Sequence, residues 1–88
     1  MINTMEEFSQ LDDKQIQLVL RELDSENLAI ALISASTDLQ VKIFSNISER
    51  AIDALKNDMT KHMNIDRSKI QQEQSNIVSI ANSILSPE

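Results

Sequence analysis

The chain has no glycine in 88 residues, and that omission limits its fold more than any motif it carries. Glycine supplies the left-handed backbone of two-residue hairpins and closes many helices just past their last turn. A sheet protein of this length would show Asn-Gly or Asp-Gly hairpins between alternating β-branched runs, and neither occurs here. The fold class is therefore expected to be all-α. Asn46, Asn64 and Ser34 are left to stand in for glycine where helices end.

Caps and apolar spacing divide the chain into five helices. Asp12 and Gln15 form a capping box, after which Ile16, Val19, Leu20 and Leu23 line one face. Asp24 or Ser25 caps a second helix, running to about Ser34, that buries Leu28, Ala31 and Leu32, with Ala29 and Ile30 flanking. Thr37 with Gln40 makes another capping box ahead of Leu39, Ile43, Phe44 and Ile47. Ser48 caps a fourth helix to about His62, and Glu49 suits the positive end of its dipole. Its apolar stripe is Ala51, Ile52, Leu55 and Met59, with Arg50, Asp53, Asn57, Asp58 and Lys61 outside the stripe. A short connection over 63–66 ends in an Asp or Ser cap. Ile70, Ile77, Ile80, Ala81, Ile84 and Leu85 then give a fifth helix, which Ser86-Pro87 stops.

Residues 1–10 lack periodicity and read as a flexible N-terminal lead or linker remnant, leaving residues 11–85 as the helical domain. Helices this short are not stable alone, so their apolar faces must share one core. Either a compact bundle or a stack of helix pairs would achieve this. The architecture expected is about five short helices in a compact, ARM-like superhelical bundle.

Composition removes several functions. Without cysteine there is no disulfide framework and no thiolate metal site. A net charge of −6 repels phosphate, and Phe8 and Phe44 are the only aromatics available for base stacking, so no nucleic-acid partner is expected. No apolar run reaches the length of a membrane span, and the acidic start is unlike a signal peptide, so the reading is a cytoplasmic chain without direct membrane insertion. Asp12, Asp13, Asp24 and Glu26 are explained as helix-start residues rather than catalytic carboxylates. His62 has no HExxH partner and complements a helix C-terminus. With no P-loop, dinucleotide fingerprint or nucleophile elbow, no enzymatic activity, cofactor or metal is expected. Met59 and Met63 are read as filling gaps in or beside the core, and Arg50 as pairing locally with Asp53 at i,i+3.

Two stretches, LDDKQIQLVLRELDSENLAIAL (11–32) and KIFSNISERA (42–51), together with the QQEQ of residues 71–74, carry a family resemblance. Over about residues 11–85 the chain resembles the C-terminal domain of the flagellar motor switch protein FliG. The resemblance implies a helical rotor module at the cytoplasmic face of the inner membrane, in the flagellar basal body. It also implies a charged ridge that meets the cytoplasmic loop of a MotA-type stator for torque generation, with other flagellar switch proteins or FliG-like subunits as further partners. Arg50 and Asp58 match charged positions of that ridge, and Asp53 and Lys61 share their helix. Other positions depart from the family. Ile33 stands where a Lys is common, Asn57 where the first of two adjacent Asp residues is usual, and Asp66 where an Arg is usual, with Arg67 one residue later. The Gly-Pro turn before the last helix is replaced by Met63-Asn64, and the Met-Phe-x-Phe hinge motif is missing. These changes shift the surface toward acid, and Ile33 would place an apolar spot beside the ridge. The alternative reading is a stand-alone FliG-like interaction module whose stator face is repurposed or vestigial.

Overall fold

Each helix of the computed structural model, which describes residues 1–85, begins close to where a capping residue is expected. In order, α1 spans Asp13–Leu20, α2 Ser25–Leu32, α3 Thr37–Phe44, α4 Glu49–Lys61 and α5 Arg67–Leu85, preceded by a 3-10 segment at Met5–Gln10. The class is all-α, with no strand among the described residues. The packed unit has a radius of gyration of 12.1 Å.

Local signals set most starts. The Asp12 carboxylate accepts from the Gln15 amide at 2.8 Å while the Gln15 side chain accepts from the Asp12 N–H at 3.1 Å, a reciprocal capping box. Asp24 caps α2 by accepting from the Glu26 N–H, and Ser48 caps α4 by accepting from the Ala51 N–H. At α3 the cap is Ser36 rather than Thr37: its hydroxyl oxygen accepts from the Leu39 N–H at 3.1 Å. The Glu6 carboxylate accepts from both the N–H and the hydroxyl of Ser36, at 2.9 and 2.6 Å, and so holds it in place.

Helix ends are closed without left-handed residues. No described residue has positive φ, so the expectation that Asn46, Asn64 and Ser34 would replace glycine in that conformation is corrected. Side-chain amides do the work. Gln40 donates to the Leu32 carbonyl at 2.9 Å, and Gln74 to the Ala31 carbonyl at 2.8 Å, which satisfies two exit carbonyls of α2. Asn46, with negative φ, donates to the Lys42 carbonyl and the Asp13 carboxylate, while accepting from Gln17. Lys42 also reaches Asp13 at 3.4 Å. The Asn46 and Lys42 hydrogen bonds, then the Lys42 charge, hold the Asp13 carboxyl below its ordinary value of 3.8.

The centre of the core is α2. Leu28, Ala29, Ile30, Ala31 and Leu32 are all buried, so Ala29 and Ile30 are interior rather than flanking. Five consecutive buried residues leave no open side over the rest of the helix after its exposed first turn, so neighbours must cover it, and α2 packs against both α4 and α5. Ile16, Val19, Leu39, Ile43, Leu55 and Ile77 complete the cluster with Phe8.

Residues 1–10 differ from the expected lead. Met5 and Phe8 lie in the core, Phe8 only 1% exposed, and the segment packs against α3 and α5. Ile2 is pinned as well: its N–H donates to the Asn82 side-chain oxygen and its carbonyl accepts from the Asn82 amide, both at 2.9 Å. On α5, Glu73 is 5% exposed whereas Ile80 is 37% exposed, the reverse of what residue type suggests. Lys69 accompanies Glu73 at 3.0 Å, one turn earlier on the same helix. The Ser86-Pro87 stop lies outside the described residues.

Candidate interaction face on the fourth helix

The α4 helix buries Leu55, half-buries Ala51, Ile52 and Met59, and turns the rest outward. Arg50, Asp53, Asn57 and Lys61 are all exposed. At steps of three, four and four residues they fall in one row on the side opposite Leu55, roughly 16 Å from end to end. The row alternates in sign, cation, anion, amide, cation, and Asp58 stands half-buried at its edge, 3.9 Å from Lys61.

Arg50 does not form the expected local pair with Asp53. The ion pairs among the described residues join Lys42 to Asp13, Lys61 to Asp58 and Lys69 to Glu73, and the His62 ring hydrogen-bonds to Glu26. The Arg50 guanidinium is therefore uncommitted. The Lys61–Asp58 pair is long and open to solvent on its Lys61 side, and a surface pair contributes about 0–1 kcal/mol, so it too can open at little cost. His62 ends the helix and meets Glu26 of α2 at 3.0 Å, tying the C-terminus of α4 to the first turn of α2.

The remaining candidates lie off the row. Ile33, half-buried where α2 ends, lines a shallow depression with Lys56, Met59, Thr60 and Met63 on one flank of α4. Met63 is 67% exposed, so it lies on the surface rather than filling the core, while Met59 packs against the core edge. The Lys56 ammonium sits 5.8 Å from the centre of the Phe44 ring, a cation–π distance. Asp66 and Arg67 are exposed at the start of α5, apart from the α4 row. Sequence reasoning missed Lys56 as a neighbour of Phe44 and Ile33, because each belongs to a different helix. Among the described residues no group of three His, Asp or Glu side chains is placed to hold a metal ion. Among the described residues no helix is long and apolar enough to cross a membrane.

The family model of the FliG C-terminal domain matches residues 1–86 of this chain. The flagellar motor switch protein FliG of Thermotoga maritima is 41% identical over 75 residues, covering 85% of this chain and 22% of that protein. That of Borreliella burgdorferi is 46% identical over 70 residues, covering 80% of this chain and 20% of that protein. The chain thus spans about a fifth of the length of these relatives. A crystal structure of FliG from H. pylori, residues 86–343, matches with a TM-score of 0.88 at 28% identity, over 94% of this chain and 39% of that one.

Proposed function

The chain belongs to the FliG C-terminal domain family, and on that premise we propose that it is a non-enzymatic rotor component of the flagellar motor switch, contacting the cytoplasmic loop of a MotA-type stator through α4. The observation that carries this reading is the exposed row of alternating charge, with Arg50 at one end making no ion pair among the described residues. A contact that transmits torque must form and break repeatedly. Weak, exposed ion pairs suit that purpose, because each contributes about 0–1 kcal/mol and is screened beyond roughly 8 Å at physiological salt. A rigid support is also needed, and α4 has one in the buried Leu55 and in its packing on α2.

In this reading the module works at the cytoplasmic face of the basal body, beside other switch proteins or further FliG-like subunits. Arg50 and Asp58 make the first stator contacts, Asp53, Asn57 and Lys61 extend the face, and Asp66 and Arg67 are separate charges at the start of α5. The test is to replace the corresponding domain of the full-length motor protein with residues 1–85 and score rotation of tethered cells. Rotation that falls when Arg50→Asp is combined with Asp58→Arg supports the reading. A folded, expressed graft that never rotates overturns it. That outcome would favour a stand-alone interaction module with a repurposed face, a second reading suggested by the half-buried Ile33 beside α4.

A further inference from the structure

The depression beside α4 has an apolar floor and a single charge. Ile33 comes from the end of α2, Met59 from the core edge of α4, and Met63 from just past its last turn. The Thr60 hydroxyl is turned back onto the Lys56 carbonyl at 3.0 Å, so the apolar groups dominate. Lys56 is the only charged side chain in the lining. It has no partner among the ion pairs of the described residues and rests over Phe44. In a chain of net charge −6, this sets one cation with no ion pair among the described residues beside the exposed thioether of Met63.

We infer that this depression receives an apolar side chain of a partner protein segment, and that Lys56 pairs with a carboxylate one or two residues away on that segment. Charge complementarity fixes the occupant. A basic segment would meet Lys56 head on, whereas a carboxylate beside the apolar anchor neutralises it while the ammonium keeps its contact with the ring. Methionine suits the floor because its unbranched thioether adapts to the shape of an entering side chain. The apolar anchor would supply affinity and the charged row register, so the two parts of the face do different work. This rests on the rotor reading only for the identity of the partner, and it names the chemistry that partner presents.

The experiment is a methyl NMR titration of the full chain, labelled at isoleucine and methionine, with the purified cytoplasmic loop of the stator protein from the same cells. Shifts of the Ile33, Met59 and Met63 methyls on addition of the loop are expected. Met63→Ser should weaken binding about fivefold, the loss typical of one contributing interface residue. Lys56→Gln should weaken it and also flatten its dependence on salt. Binding that perturbs only the Arg50 to Lys61 row, with those methyls unmoved, overturns this inference and leaves the rotor reading standing. No binding at all overturns both. Because Met63 and Lys56 are exposed, neither variant threatens the fold.

Discussion

The side-chain amide of Gln74 donates at 2.8 Å to the carbonyl of Ala31, from 43 residues further along the chain. It also reaches the Ser34 hydroxyl at 3.2 Å, so a residue of α5 performs the closure that a glycine would otherwise perform at the end of α2. Gln74→Leu removes the donor and leaves a part-buried carbonyl short of a partner. The expected loss is about 1–2 kcal/mol, read from the urea midpoint at unchanged m-value. Gln40→Leu should cost less, because the Leu32 carbonyl still accepts from the Ala35 N–H at 3.1 Å. Because both amides cap the same helix end, the double variant should depart from simple addition.

Phe8→Ala tests whether the N-terminal segment belongs to the domain. A fully buried phenylalanine cut to alanine costs about 3–5 kcal/mol. That is a large fraction of the stability of a chain this size. Thermal unfolding followed by circular dichroism should show a drop of well over ten degrees or loss of the transition. An unchanged midpoint would mean the segment contributes nothing.

Reversing the α4 charges, Arg50→Asp with Asp58→Arg, should leave stability within about 0.5 kcal/mol, since the only ion pair disturbed among the described residues is the 3.9 Å one to Lys61. Rotation of tethered cells should nevertheless fall. A matching collapse in melting temperature would show instead that these residues act through the fold.

Acid should act through Asp13. Its folded-state carboxyl lies below the ordinary 3.8, held there first by Asn46 and then by Lys42. A depressed acid contributes stability that is complete above the unfolded value and lost as pH falls through the lower folded one. Asp13→Asn should therefore be less stable than the parent at pH 6. The gap should hold down to about pH 3.8 and then close as pH drops further, as measured by urea unfolding at stepped pH.

What could be read from the sequence follows how local each interaction is. The Asp12–Gln15 box and the Ser48 cap are settled within one turn, so residue type and spacing suffice. The charged row on α4 is legible for the same reason. Thr37 suits the cap of α3 by residue type, but Ser36 takes the role because Glu6 holds it from 30 residues away. The burial of Phe8 has no periodic signal, because a six-residue 3-10 segment is too short to display one. Spacing would have identified Glu73, three residues after Ile70 and four before Ile77, as a buried position; its charge argued the other way. The company Ile33 keeps with Lys56 and Met63 depends on how α2 lies against α4, and no single-helix pattern contains that.

The pairing of Ile2 with Asn82 joins residues 80 positions apart. Helical turns form within a few residues and closing a long loop is slower, so this contact should be among the last to form during folding. It is also part-buried and made of two hydrogen bonds at the edge of the core, which should make it among the first to open. In hydrogen exchange the Ile2 amide should therefore be protected only briefly, exchanging well before the amides of α2, even in fully folded protein.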